Sequence, residues 1–245
     1  MKRRHEMIPS VVMGRQVHMW CFGHFGAPVL IFPSAAGFAH EWDGQGMVEV
    51  LAPLIEAGKI KLYCPESNVS QTWTDKGELG ARMAAHERYE SFITGELVPW
   101  IHRDCGGYSL PLATSGSSLG GFYAANFALK FPKIFNYALC MSGRYDMLTF
   151  TGGQSSKDVY LNNPIAFVSN LQGAGLDLVK NHTHLTLVCG QGAYEEGCIE
   201  ETINLGKILV MKNISNTVDI WGTDSKHDWT WWQRQALLHL TNRFG

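Results

Sequence analysis

Hydrophobic and polar residues along this chain follow two alternating patterns. Short, continuous apolar runs of the kind found in buried strands occupy residues 27–32, 60–64, 110–114, 137–141 and 184–189. Between these runs, apolar residues recur at helical spacing in the segments 46–57, 81–103, 122–131 and 199–211. Strands that alternate with helices in this way predict an α/β fold, with a mostly parallel central sheet and helices on both of its faces.

The two ends of the chain extend this prediction. Residues 7–13 and 16–22 flank a turn at Gly14 and predict an N-terminal antiparallel hairpin at one edge of the sheet. A last strand is expected at 218–221, and a final helix is expected to begin near Asp228.

The organisation of the chain indicates a single unit. No internal repeat or low-complexity linker interrupts the pattern, so residues 1–245 are predicted to form one domain. Residues 142–180 separate the predicted strands at 137–141 and 184–189. This segment is short, so we expect a small helical excursion there and no separate lid domain.

Composition narrows the classes of function. A chain of 245 residues with 45% hydrophobic and 17% charged residues is typical of a globular α/β domain with a sizeable core. The net charge of −2 comes with scattered lysines and arginines, which predicts no nucleic-acid partner. No apolar run approaches the ~20 residues of a membrane span, and no signal-peptide core is visible. We therefore expect a cytoplasmic protein without membrane contact.

The cysteines and histidines do not indicate a metal site. The six cysteines are widely separated and show no C-x-x-C spacing, which agrees with a cytoplasmic location. His182 and His184 could hold a metal ion only with a third ligand, and the sequence offers none nearby. We expect no metal and no organic cofactor.

The most informative chemistry lies between the strand that ends near residue 114 and the helix that follows it. Gly116, Ser118 and Gly120 form a G-x-S-x-G motif there. A serine on a sharp turn from strand to helix needs small neighbours, because larger side chains would collide across the turn. Its hydroxyl is then exposed above the sheet, and the amide of Leu119 points to the same space. The motif predicts that Ser118 is a nucleophile.

A serine nucleophile requires a base, and His227 is the best candidate. It lies in a loop between the last strand and the last helix, at the carboxyl end of a strand, where open α/β sheets place their sites. An acid is then expected between the serine and the histidine in the chain. Glu195 and Glu196 follow the strand 184–189, and we expect Glu195 to orient the imidazole, with Glu196 as the alternative.

Four segments together resemble a known family. They are SGSSLGG around Ser118, VYLNNP at 159–164, CGQGAYEE at 189–196 and WGTDSKHDWTWW around His227. The chain is similar to the putative-esterase branch of the α/β-hydrolases, which includes enterochelin esterases, S-formylglutathione hydrolases and mycolyltransferases. The resemblance implies the α/β-hydrolase fold, Ser118 as nucleophile, His227 as base and a carboxylate after the seventh strand. Many members carry that acid where this chain has Ala193, so the choice between the neighbouring glutamates stays open.

A second oxyanion donor is expected in the loop after the strand 27–32. The resemblance favours the region of Ala35 and Ala36, and we choose Ala36 to act beside Leu119. Further along lie three candidates for substrate contacts, of which the first two could equally belong to a polar surface loop: His40, Trp42 and Trp73. The tryptophans of the last helix, Trp229, Trp231 and Trp232, are expected to pack that helix against the sheet.

The sequence therefore predicts a serine esterase that cleaves a small-molecule carboxylic ester through an acyl-enzyme on Ser118. An acyltransferase that uses the same acyl-enzyme is the alternative within catalysis. A non-catalytic binding module on a hydrolase fold is the alternative from another class, and the presence of both Ser118 and His227 argues against it. The sequence leaves open whether the chain forms homo-oligomers.

Overall fold

The computed structural model describes all 245 residues and contains one eight-stranded sheet. The strands run in the order β1-β2-β4-β3-β5-β6-β7-β8, and all neighbours from β4 onward are parallel. This arrangement confirms the predicted fold class. The strands are β1 (Arg3–Ser10), β2 (Arg15–Phe22), β3 (Ala27–Phe32), β4 (Ile60–Pro65), β5 (Leu112–Ser117), β6 (Phe135–Met141), β7 (His184–Cys189) and β8 (Asn216–Ile220).

The N-terminal hairpin forms as predicted, but its first strand begins earlier than the apolar pattern indicated. β1 starts at Arg3 and ends at Ser10, and residues 11–14 form the turn. The predicted span of 7–13 was wrong because the start of β1 is held by ion pairs, which a search for apolar residues does not detect. The Arg4 guanidinium lies 2.8 Å from Asp104 and 3.0 Å from Glu6.

Helices cover both faces of the sheet. Alternate side chains of β3 point in opposite directions. Leu30 and Phe32 enter the larger core on one face of the sheet. Val29 and Ile31 enter a second core on the other face. The helices are α1 (Glu41–Gly44), α2 (Met47–Val50), α3 (Ala52–Glu56), α4 (Leu79–Phe92), α5 (Val98–Asp104), α6 (Leu119–Lys130), α7 (Lys157–Leu161), α8 (Pro164–Ser169), α9 (Gly173–His182), α10 (Cys198–Met211) and α11 (Trp229–Phe244).

Two predicted helices are interrupted. The segment 81–103 contains a π-helical turn at Ile93–Leu97 between α4 and α5. Pro99 lies two residues beyond that turn and has no amide hydrogen to donate, so the regular ladder of hydrogen bonds cannot continue through it. The segment 46–57 divides into α2 and α3 at Leu51.

The excursion between β6 and β7 is helical, as predicted, and consists of α7, α8 and α9 after a 3₁₀ turn at Met147–Phe150. A buried asparagine, Asn162, attaches it to the body of the protein. Its side-chain oxygen accepts hydrogen bonds from Lys130 and Asn126 on α6, at 2.7 and 2.9 Å, and lies 3.0 Å from the His86 ring on α4. None of the helices in the structure has both the length and the apolar character needed to cross a membrane.

A partly buried acid, Asp104, joins the hairpin to the rest of the sheet. Its carboxylate accepts hydrogen bonds from Arg4 on β1 at 2.8 Å and from Tyr63 on β4 at 2.9 Å, and it lies 2.6 Å from the Lys61 ammonium. Burial by itself would raise the pKa of this carboxyl. The hydrogen bonds from Lys61, Tyr63 and Arg4 outweigh burial and hold the pKa below its usual range.

We expect Asp104→Asn to lower the free energy of unfolding by about 2 kcal/mol near neutral pH, because Lys61 and Arg4 lose their shared partner. The pKa of Asp104 is lower in the folded state than in the unfolded state. The carboxylate therefore makes its full contribution to the free energy of unfolding above the unfolded-state pKa of about 4, and that contribution is lost as the pH falls through the folded-state pKa. Urea unfolding at several pH values would measure it. Asp177→Asn, an exposed site, is the control. An equal effect of both substitutions, or a loss that does not shrink in acid, would contradict the assignment.

Candidate active site

The backbone at Ser118 is strained, as the G-x-S-x-G motif predicts. Ser118 has φ 57° between the end of β5 and the start of α6, in the left-handed region that side chains other than glycine seldom adopt. A Cβ atom on Gly116 would lie 2.4 Å from the backbone of Gly120, and one on Gly120 would lie 2.3 Å from the carbonyl oxygen of Phe32. Both glycines are therefore required by close backbone approach on either side of the turn.

Three side chains from three loops form a hydrogen-bonded series at the carboxyl end of the sheet. Ser118 Oγ lies 3.0 Å from His227 Nε2, and His227 Nδ1 lies 3.1 Å from Glu195 Oε2. An ionised carboxylate only accepts hydrogen bonds, so Nδ1 carries the ring proton and Nε2 is free to accept the serine proton. The arrangement can remove a proton from the Ser118 hydroxyl.

The two candidate acids have different surroundings. The Glu195 side chain is 1% exposed and lies against His227. Glu196 is exposed and makes no side-chain hydrogen bond or ion pair. The structure therefore brings Glu195 to the imidazole and leaves Glu196 in solvent.

Close backbone contacts join the loop that carries the histidine to the loop that carries the acid. The His227 amide donates to the Ala193 carbonyl at 3.0 Å, and the Gly192 amide donates to the Ser225 carbonyl at 2.7 Å. Gly190 also has to be a glycine, because a Cβ there would lie 2.1 Å from the Ser225 oxygen. The distance from imidazole to carboxylate is thus fixed by the backbone on both sides.

Two amides at this end of the sheet make no hydrogen bond within the protein. Leu119 is the first residue of α6, and its amide donates to no group of the protein, whereas the Ser118 amide is already bonded to the Met141 carbonyl at 2.9 Å. The Ala36 amide also donates to no protein group. The loop that carries Ala36 lies beside the turn at Ser118, because Phe32, near the start of that loop, pairs with Gly116.

A buried glutamate, Glu41, shapes the loop that carries Ala36. Its carboxylate accepts hydrogen bonds from the amide of Ser34, at 2.6 Å, and from the Ser34 hydroxyl. Burial raises the pKa of Glu41, and the two hydrogen bonds from Ser34 act against that rise. The burial of Glu41 could not be predicted from the sequence, because a glutamate between a histidine and a tryptophan is equally compatible with an exposed loop.

The structure corrects two of the three predicted substrate contacts. Trp42 is 1% exposed and packs in the second core, and Trp73 is fully buried against the rings of His86 and Phe122. Neither indole can line an open site, because each faces the interior. His40 is exposed and stacks on the exposed ring of Phe38, with ring centroids 5.4 Å apart.

Sequence reasoning missed the side chains behind Glu195. The Ser142 hydroxyl donates to Glu195 Oε1 at 2.6 Å, and Trp232 Nε1 donates to Ser142 Oγ at 3.0 Å. Trp232 does pack the last helix against the sheet, as predicted, but its indole nitrogen also reaches this buried serine. The available signal was the position of Ser142 directly after β6, where the neighbouring strands β5 and β7 lead to Ser118 and Glu195.

One group of side chains combines ligand types that metals use. Ligand atoms of Glu195, Cys198 and His227 lie within 4.8 Å of one another. Burial, followed by the nearby charge of Glu195, raises the pKa of the Cys198 thiol to about 12, so the thiolate that a metal needs is disfavoured. The same imidazole nitrogen and carboxylate already face each other, which fits proton transfer better than metal binding.

A cavity of about 640 Å³ lies at the other end of the sheet. It is lined by residues at the amino ends of β3 and β4, including Ala27 and Lys61, and by Asp104 and Cys105 at the end of α5. The predicted site lies at the carboxyl ends of the strands, so this cavity is not part of it.

Comparisons with known proteins agree with the fold and the motifs. A family model described as "Putative esterase" matches residues 63–241. That range spans well over half of the chain and includes Ser118, Glu195 and His227. A search of curated proteins found no significant match.

Solved structures share the whole architecture at low sequence identity. A ferulic acid esterase is 16% identical with a TM-score of 0.78, over 99% of this chain and 97% of the other. An S-formylglutathione hydrolase from Agrobacterium tumefaciens is 13% identical with a TM-score of 0.74, over 99% and 95%. The S-formylglutathione hydrolase FrmB from Staphylococcus aureus is 14% identical with a TM-score of 0.72, over 100% and 97%. At these identities the likeness concerns the fold.

Proposed function

Because the chain belongs to the putative-esterase family of carboxylic ester hydrolases, we propose that it cleaves its ester through an acyl-enzyme on Ser118. The observation that carries the proposal is the hydrogen-bonded series from Ser118 through His227 to Glu195, which begins at a strained turn. Structural strain of this kind is retained at functional sites when the surroundings enforce it.

In the proposed reaction, Ser118 Oγ attacks the ester carbonyl while His227 Nε2 takes the serine proton. The resulting imidazolium is stabilised by the Glu195 carboxylate at Nδ1. The amides of Leu119 and Ala36 bind the oxygen as it becomes negatively charged. Each such donor is worth about 2.7–4 kcal/mol of transition-state stabilisation. The carbon–oxygen bond to the alcohol then breaks, and the alcohol leaves with the proton from His227.

The second half of the reaction repeats these steps with water. His227 removes a proton from a water molecule that attacks the acyl group, and the intermediate collapses to the free acid as His227 returns that proton to Ser118 Oγ. An alcohol in place of water would give acyl transfer through the same steps. No feature of the site favours an alcohol over water, so hydrolysis is the proposed activity.

Labelling with a fluorophosphonate probe tests the nucleophile. We expect the probe to modify Ser118, identified by mass spectrometry of the labelled peptide, and to stop hydrolysis in proportion to the labelled fraction. The substrates tested should include p-nitrophenyl acyl esters, feruloyl esters and the thioester S-formylglutathione, because neighbours in fold are named for the last two. Ester hydrolysis that persists after complete labelling of Ser118, or labelling of another residue, would overturn the proposal.

The pH dependence of hydrolysis tests the base. His227 has to be neutral to accept the serine proton, so we expect kcat/KM to fall on the acidic side of its pH profile. His227→Ala should remove most activity and this acidic limb. His40→Ala, which alters an exposed histidine in the loop after β3, should leave the limb in place. The opposite result for the two variants would assign the base to His40.

A further inference from the structure

The buried side chains behind the acid are not explained by the proposed reaction alone. Glu195 is 1% exposed, and no lysine or arginine forms an ion pair with it. His227 is its one ionisable hydrogen-bond partner apart from the Cys189 thiol, which lies 3.4 Å from Oε2. A buried carboxylate needs other hydrogen-bond donors to remain ionised.

The second carboxylate oxygen receives those donors. Oε1 of Glu195 accepts the Ser142 hydroxyl at 2.6 Å and the Gly190 amide at 3.4 Å. The serine bond is the short one, within the range of hydrogen bonds from hydroxyls to charged oxygens. Ser142 is itself fully buried, so water does not compete for its hydroxyl.

The indole of Trp232 fixes the direction of this bond. An indole nitrogen can only donate, so the Ser142 oxygen has to accept from Trp232, at 3.0 Å. The one proton of the hydroxyl is then directed to Glu195. The Trp232 ring also packs edge-on against the His227 ring, with centroids 4.8 Å apart. Trp232 therefore contacts both the His227 imidazole and the serine that donates to the Glu195 carboxylate.

The backbone at Ser142 is held in an unfavourable conformation. Its φ is 49°, in the left-handed region, and its amide donates to the Val188 carbonyl at 2.7 Å. Ser142 follows β6, which lies between β5 and β7, so the turn directs its side chain toward the residues that follow those strands. A glycine would adopt this conformation more easily. Ser142 therefore supplies its hydroxyl at a conformational cost that glycine would not have.

We propose that Ser142, oriented by Trp232, is a positioning residue that holds Glu195 ionised and directed at His227. The inference rests on the proposed function, since it concerns the same histidine and acid. Without the Ser142 hydroxyl, Oε1 of Glu195 keeps only the long contact with the Gly190 amide, so its negative charge is less stabilised and the carboxylate is held less firmly against His227.

The test compares two substitutions that both remove the hydroxyl. Ser142→Ala keeps a Cβ at the strained φ, whereas Ser142→Gly relieves that strain. We expect both to lower kcat on p-nitrophenyl acetate by about 10- to 100-fold. We expect KM to change by less than about twofold, because Ser142 does not touch substrate. The acidic limb of kcat/KM should move to higher pH by about one unit.

Two further variants provide the controls. Ser115 lies on β5, and its buried hydroxyl has no hydrogen-bond partner. Ser115→Ala should therefore leave both kcat and the acidic limb unchanged. Trp232→Phe keeps an aromatic ring but removes the N–H, and should move the limb in the same direction by a smaller amount. If both Ser142 variants fail to fold, as judged by circular dichroism and thermal unfolding, Trp232→Phe decides: an unmoved limb overturns the inference.

The outcomes separate this inference from the proposed function. If Ser142→Ala and Ser142→Gly fold and keep the kcat and acidic limb of the unmodified protein, Ser142 has no positioning role, even though probe labelling still identifies Ser118 as the nucleophile. A loss confined to KM would also overturn the inference. If the unmodified protein is not labelled at Ser118, the proposed function fails first, independently of any Ser142 variant.

Discussion

Ser118→Ala is expected to lower kcat for ester hydrolysis by about 10⁴-fold or more and to abolish labelling by fluorophosphonate. The hydroxyl is the only group lost, and alanine has the same Cβ as serine at the strained φ of 57°. The fold should therefore remain intact. Ester hydrolysis and probe labelling, with thermal unfolding of both proteins, would measure the effect.

Ser117→Ala is the matched control for this prediction. Ser117 is the preceding residue, is fully buried, and its hydroxyl has no hydrogen-bond partner. It should retain most of the activity. A Ser118→Ala protein with undiminished turnover would rule out the acyl-enzyme on this residue. An inactive Ser117→Ala protein that is folded would show that the reactive serine had been assigned one position too late.

The strands that have neighbours on both sides were the part of the fold that the sequence predicted best. The predicted strands at 27–32 and 184–189 coincide with β3 and β7. Both are buried along their length by helices on the two faces, so their sequences are continuous apolar runs. β1 departs from this pattern because it lies at the edge of the sheet, where ion pairs to Asp104 and Glu6 contribute to its position.

Candidate site residues could be identified where a backbone constraint left a mark in the sequence. Ser118 stands between glycines that the turn requires, and His227 stands in a loop after a strand. Trp42 and Trp73 carried no such mark, because an aromatic residue in a loop is compatible with a site wall or with a core. Their burial depends on packing against distant residues, such as His86 on α4 for Trp73, which local patterns do not reveal.

Ser142 shows a different limit of sequence reasoning. A serine after a strand has no distinctive local pattern, and its partners Glu195 and Trp232 are 53 and 90 residues away in the chain. The sheet order brings them together, since β6 lies between the strands that lead to Ser118 and Glu195. A sequence pattern can predict that β6 exists, but the contacts beyond its end depend on how three loops meet.

The choice between the two neighbouring glutamates leads to the other large effect. We expect Glu195→Gln to lower kcat by about 10⁴-fold, the loss given by the comparable substitution in the serine-protease triad. A neutral amide can donate to Nδ1 and so favour the imidazole tautomer that cannot accept the serine proton. It also cannot stabilise the imidazolium. Ester hydrolysis and probe labelling of folded Glu195→Gln protein would measure the loss.

Glu196→Gln is the control, because it makes the same chemical change one residue along the same loop. Its side chain is exposed and makes no hydrogen bond, so we expect kcat to change by less than about twofold, as for surface substitutions in general. Glu195 Oε2 lies 3.1 Å from His227 Nδ1, and the buried Ser142 donates to the other carboxylate oxygen. Glu196 could therefore replace Glu195 only if the loop from 190 to 197 rearranged. Exchanged severities for the two variants would assign the acid to Glu196 and would leave the Ser118 acyl-enzyme standing.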